Sequence, residues 1–200
     1  MNIAFLRAGR ILVPALLCLA PAMVLAAASR SFTLLRSVPE TLTPAALSAA
    51  EKVQTPGAVS PDGKTLTFTQ PNVRLMAETG PEKDMLSYRI GGLRNPTFVV
   101  PKGAVLTVLF VNTDDDMAHN IRFGPAPAAY PNMMAAFEKS SVGTPELAHK
   151  SEAVLHAEEL TFRVPAAPGA YAYFCTVRGH AQGGMTGKIV VRQEAKKGTR

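Results

Sequence analysis

One spacing constrains this chain more than any other feature. Cys175, His180 and Met185 follow one another at five-residue intervals in residues 172–191, AYFCTVRGHAQGGMTGKIVV. The flanks, residues 169–175 and 187–192, read as strands, so the glycine-rich stretch between them is a loop joining two strands. A thiolate, an imidazole and a thioether thus share one short loop. Soft sulfur ligands select copper(I), imidazole also suits copper(II), and a trigonal His2Cys site with a weak axial Met is the electron-transfer copper geometry. The loop is one histidine short. The segment Ala118-His119-Asn120, just after a strongly apolar run, can supply it. The bland alternative is a buried structural cysteine beside an incidental histidine and methionine. The shared loop and a histidine at a strand end favour the metal.

The rest of the chain predicts strands to carry such a loop. Period-two alternation runs through residues 64–69 (Leu66, Phe68), 72–77 (Val73, Leu75, Ala77) and 159–164 (Leu160, Phe162, Val164). Residues 84–90 form a weaker strand ending at Gly91-Gly92, and residues 97–100 a short one stopped by Pro101. Residues 104–112 are continuously apolar, as in a strand buried on both faces, and residues 118–123 carry His119. About eight short strands separated by turn signals predict an all-β sandwich or barrel. One short helix is expected at residues 43–53, opened by Thr43 and Pro44 at the N-cap and first helical position. Residues 124–158 break the rhythm and read as a long excursion with one helical turn. Met133 and Met134 there are expected to serve packing, and His149 and His156 to be solvated.

The N-terminus reads as an export signal. Residues 1–10 are a basic leader, residues 11–25 an apolar core of about 15 residues, short for a membrane span, and Ala26-Ala27-Ala28 a cleavage site. The expected organisation is a signal peptide over 1–28, an N-terminal extension with the helix over 29–60, the sandwich over 61–192 and a polar tail over 193–200. Loss of the leader removes Cys18 and takes the formal charge from +6 to +4 by removing Arg7 and Arg10. Cys175 is then the sole cysteine, with no disulfide partner, and metal ligation accounts for it. A mildly basic mature chain favours acidic partner surfaces. It lacks the dense Lys/Arg clusters interleaved with aromatics that nucleic-acid binding would need. With no C-x-x-C-H, a c-type haem is excluded.

These residues resemble the cupredoxins and, among them, the rusticyanins. The resemblance is carried by residues 179–191, GHAQGGMTGKIVV, by residues 95–113, NPTFVVPKGAVLTVLFVNT, and by the helix followed by a Gly-Lys-Thr strand. It implies a Greek-key β-sandwich holding one type 1 copper through His119, Cys175, His180 and Met185. It also implies a periplasmic one-electron carrier. The chain departs from the rusticyanin pattern at Asn120, where that family has serine, as plastocyanin-like and azurin-like sites have asparagine.

The site itself suggests three further expectations. A hydrogen bond between Asn120 and Thr176 would tie the two ligand-bearing segments together. Four filled ligand positions leave no vacancy for substrate, which argues against an enzyme. Only four histidines exist and two are already used, too few for the second copper centre of an oxidase or nitrite reductase. The small residues Gly179, Ala181, Gly183 and Gly184 around His180 should leave its ring edge near the surface as the electron exit. Partners there would be a c-type cytochrome or terminal oxidase, docked transiently on a monomer with no stable membrane insertion. The competing function is copper trafficking.

Overall fold

The computed structural model describes residues 28–130 and 140–193. The expected signal peptide, Cys18, Met133, Met134 and most of the polar tail lie outside the described residues. Two sheets face each other. The first has the order β1-β11-β8-β4-β5-β6, built from β1 (Thr33–Leu42), β4 (Asn72–Thr79), β5 (Tyr88–Ile90), β6 (Leu93–Arg94), β8 (Val105–Asn112) and β11 (Leu155–Arg163). The second runs β10-β9-β12-β13-β7-β3-β2. Its strands are β2 (Ala58–Val59), β3 (Thr65–Thr67), β7 (Thr97–Pro101), β9 (Arg122–Pro125), β10 (Val142–Gly143), β12 (Gly169–Phe174) and β13 (Thr186–Arg192). Pairing is antiparallel except for β4–β8, β3–β7 and β7–β13. This is a two-sheet β-sandwich, the architecture the strand pattern predicts.

Alternation decides which side chains meet between the sheets. Leu66, Val73, Leu75, Phe98, Leu106, Val108, Phe110, Tyr173 and Ile189 join one buried cluster that also includes Cys175 and Met185. Two of the expected ligands are therefore core residues, held by the same packing that holds the fold. The second half of β8 is buried on both faces, as its continuous apolarity predicts. The reason is α1 (Pro44–Glu51): its Leu47 and Ala50 cover Met76, Leu109 and Val111 from outside the first sheet. Thr43 caps α1 by accepting the Ala46 N–H at 3.2 Å, with Pro44 in the first turn.

The structure corrects several expected boundaries. The stretch expected to be an appended extension contributes β1, ten residues paired along β11. Its outer pattern is almost wholly exposed, so it shows no clean apolar period. The strand expected at 84–90 is confined to Tyr88–Ile90. Glu82–Asp84 is a turn of 3-10 helix, in which Asp84 binds Ser87, Arg89 and Arg94 rather than extending. The His119 strand becomes regular only at Arg122. Before it, His119 makes a single bridge to Leu147 and Ile121 pairs with Thr144. Pro145 between those partners has no N–H to give the ladder. The excursion at 124–158 contributes β10 and the start of β11, and no helix among its described residues.

Candidate metal centre

The ligand loop is built by backbone. β12 ends at Phe174 and β13 begins at Thr186, and the Cys175 N–H donates to the Met185 carbonyl at 3.1 Å, closing the hairpin. Between them the chain coils: His180 N–H donates to Val177 O at 3.1 Å, Gly183 N–H to Gly179 O at 2.9 Å, and Met185 N–H to His180 O at 3.0 Å. Gly179 (φ 81°) and Gly184 (φ 112°) take backbone conformations that a side chain would strain. Asn95, itself at φ 44°, anchors the loop by donating through Nδ2 to Gly184 O at 2.9 Å. From outside, Tyr130 accepts from Gln182 Nε2 through its carbonyl and from Thr186 Oγ1 through its hydroxyl.

His119 arrives from the connection between β8 and β9, held by side chains. Asn112, fully buried, donates through Nδ2 to the carbonyls of Met117, Leu147 and Ala148 at 2.9–3.0 Å. Its Oδ1 accepts the Asp114 N–H at 3.1 Å. Asp114 Oδ1 accepts the N–H groups of Asp116 and Met117 at 2.8 and 2.9 Å, and its Oδ2 lies 3.3 Å from His119 Nε2. Neither Asn112 nor Asp114 stood out in the sequence, because a single Asn or Asp at a strand end usually signals only a turn.

The two segments converge on one point. His119 Nδ1 lies 3.1 Å from His180 Nδ1, 3.1 Å from Met185 Sδ and 4.0 Å from Cys175 Sγ, and Cys175 Sγ lies 3.5 Å from His180 Nδ1. The ligand atoms of His119, Cys175 and His180 all lie within 4.8 Å of one another. Asn120 and Thr176 join the segments twice: Asn120 Nδ2 donates to Thr176 Oγ1 and Asn120 Oδ1 accepts the Thr176 N–H, both at 2.7 Å. Tyr88 donates its hydroxyl to the Asn120 carbonyl at 2.6 Å.

This donor set fits a copper ion. Lone pairs of two imidazoles, a thiol and a thioether crowd into a dry pocket where they have little to offer one another. Burial pushes the Cys175 thiol up to about 11, so its thiolate needs a cation. Burial, reinforced by His180, pulls His119 down to about 4, against the opposing pull of Asp114. Burial likewise lowers His180, so both rings are neutral ligands at neutral pH. Asp114 is raised by burial, but the N–H groups of Asp116, Met117 and His119 outweigh that and hold it below the ordinary carboxylate range.

The plastocyanin/azurin family of copper-binding proteins matches residues 84–192. This chain belongs to that family. A curated relative, rusticyanin of Acidithiobacillus ferrooxidans, is 31% identical over 134 residues, covering 65% of this chain and 83% of the relative. Rusticyanin of Acidithiobacillus ferridurans is 29% identical, covering 65% and 68%. Among solved structures, a histidine-to-methionine rusticyanin variant superposes with TM-score 0.69 at 26% identity, over 79% of this chain and all of that one. Reduced rusticyanin at 1.9 Å superposes with TM-score 0.65 at 27% identity, over 78% of this chain and all of that one. The chain is thus a rusticyanin-like cupredoxin, a blue copper electron carrier with one type 1 copper site. The described residues contain no helix long and apolar enough to cross a membrane.

The surface expected around His180 is only partly present. Gly183 is exposed, and Gly179 and Gly184 are half-buried. His180 is 8% exposed, a buried residue that keeps slightly more accessible surface than His119, Cys175 or Met185. Ala181 is not part of that surface. It is 4% exposed and packs with Ala172 and Phe174 beneath Tyr130, on the outer face of the second sheet. The loop coils after His180 and turns the Ala181 methyl inward. His149 is exposed, and His156 sits half-buried in β11 opposite Asn112 and Thr41.

Proposed function

We propose that this cupredoxin is an exported, periplasmic one-electron carrier of a respiratory chain, that it is not an enzyme, and that it works as a monomer. The observation that carries the reading is the convergence of His119 Nδ1, Cys175 Sγ, His180 Nδ1 and Met185 Sδ in a pocket walled by core residues. Copper bound there would supply a Cu(II)/Cu(I) couple and an intense thiolate-to-metal charge-transfer colour. The protein's part is to hold four donors still. Cys175 and Met185 are locked by the hairpin and the core, His119 by Asn112 and Asp114, and the two halves by Asn120 and Thr176. A rigid donor set keeps the change between the two oxidation states small.

Electrons would leave through the His180 edge, beside Gly179, Gly183 and Gly184. Docking there would be transient and small in area, as redox encounters are. An acidic patch on a c-type cytochrome or terminal oxidase would be steered by the basic balance of the chain. The test is to load the protein with Cu(II), record its visible spectrum and potential, and follow electron exchange with a c-type cytochrome by stopped flow. We expect strong colour, lost in Cys175→Ser, a reversible one-electron wave and fast exchange that slows with salt. Colourless protein with stoichiometric Cu(II), or copper released on reduction, would replace the carrier with a trafficking protein.

A further inference from the structure

The two histidines offer the same ring atom, Nδ1, to the site, but their far edges differ. His119 Nε2 faces the Asp114 carboxylate at 3.3 Å. Among the described residues no hydrogen bond to His180 Nε2 occurs. The Asp114 side chain is 4% exposed and His119 is fully buried, so this contact is little screened by solvent. It is also well fixed, since Oδ1 of the same carboxylate is tied to two backbone N–H groups and the Asp114 N–H to Asn112. A carboxylate on the outer nitrogen of a ligating histidine fixes the tautomer, aims the ring and strengthens it as a donor.

We propose that Asp114 is a positioning residue that sets the copper affinity and reduction potential of this site through His119. Its carboxylate holds the proton on Nε2, leaving the Nδ1 lone pair directed at Cys175, His180 and Met185. Its negative charge, passed through one imidazole, stabilises the more highly charged Cu(II) over Cu(I) and draws the potential down. The inference rests on the copper reading and deepens it: Asp114 makes the two histidines unequal, with His119 the stronger, fixed ligand and His180 the one without a carboxylate behind it.

The experiment compares wild type, Asp114→Asn and Asp116→Asn. Asp116 is exposed, so its variant removes the same formal charge two residues away without touching the His119 ring. Asp114→Asn is expected to stay coloured while Cu(II) affinity falls about 10- to 100-fold. If Cu(I) affinity holds, the potential rises by about 59 mV for each tenfold change. Asp116→Asn should move neither quantity measurably. Independently of any variant, proton NMR of the Cu(I) protein should show a downfield, slowly exchanging Nε2–H resonance of His119, which shifts upfield and exchanges faster in Asp114→Asn. Equal potentials in the two variants would overturn the proposal, and so would a rapidly exchanging His119 Nε2–H in wild type. A wild-type protein lacking charge-transfer colour would fail the copper reading itself, which the spectrum reports before any variant is made.

Discussion

The two segments that meet at the metal centre are held by different forces. The loop from Cys175 to Met185 is a hairpin closure, fixed by backbone hydrogen bonds between residues at most ten apart, by two glycines with positive φ and by burial of Cys175 and Met185 in the main core. The segment carrying His119 has a single bridge to Leu147 and owes its position to the side chains of Asn112, Asp114 and Asn120. A ligand set that is contiguous in sequence can be organised locally. A ligand that arrives from elsewhere must be fixed largely by polar side-chain contacts that bridge distant backbone.

The comparison predicts where the molecule is fragile. Asn112→Ala should have the largest effect. It strips the carbonyls of Met117, Leu147 and Ala148 of one buried donor, and the Asp114 N–H of its acceptor. A loss on the order of 3 kcal/mol or more is expected in urea unfolding of the copper-free protein, because each stranded buried group costs about 1–3 kcal/mol. Copper affinity should fall with it. A loss under 1 kcal/mol with unchanged affinity would mean that the His119 segment is held by packing after all.

Gly187→Ala probes the other side. A Cβ there would run into the Tyr173 ring. That ring is fully buried, stacks on Phe98 with centroids 5.1 Å apart, and donates its hydroxyl to Pro96 O. It has little room to yield, and overpacking of this kind costs about 1–3 kcal/mol. The hairpin closure at Cys175 and Met185 lies beyond the clash, so the thermal midpoint should drop while the copper colour of the loaded protein persists. Loss of colour at a preserved midpoint would reverse the assignment of the loop to backbone control.

The smallest effect expected is on pH dependence near the loop. Asp84 bonds Arg94 through both oxygens and Arg89 and Ser87 through Oδ2, and its turn carries Leu86, against which a Cβ at Gly183 would collide. The Arg94 guanidinium is the main cause holding the Asp84 carboxyl below its ordinary value. A depressed folded-state pKa gives stability that is full above the unfolded carboxyl's pKa, about 3.9, and is lost as pH falls through the folded value. Asp84→Asn should therefore be slightly less stable than wild type at neutral pH and flatter below about pH 4, as read from urea midpoints. Parallel curves would remove Asp84 from the account. The pair is partly exposed, so the effect is small.

The ligand set was legible because its chemistry is rare. Cys175, His180 and Met185 announce themselves by residue type and interval, and His119 by its place after the apolar run of β8. Asn120 and Thr176 were legible as neighbours of ligands. The sandwich was legible from alternation in β3, β4 and β11. β1 was not, because an edge strand whose residues are mostly exposed has no clear apolar period to read. The late start of β9 was not, because it depends on Pro145 across the pairing. The inward turn of Ala181 was not, because a small residue beside glycines looks the same whether a loop uncoils or winds.

By itself the sequence determined the donor atoms and the hairpin that carries three of them, since these follow from side-chain chemistry and short-range closure. Only the tertiary structure decided that Asn112 and Asp114 hold His119, that His119 and not His180 has a carboxylate at its back, and that Ala181 lies beneath Tyr130. The Asp114–His119 contact lies within one loop, but the loop is held in place by Asn112 reaching the distant carbonyls of Leu147 and Ala148, and Ala181 meets Ala172, Phe174 and Tyr130 only through packing. In each the residue type is common, and the long-range partner is fixed only once the strands have packed into the sandwich.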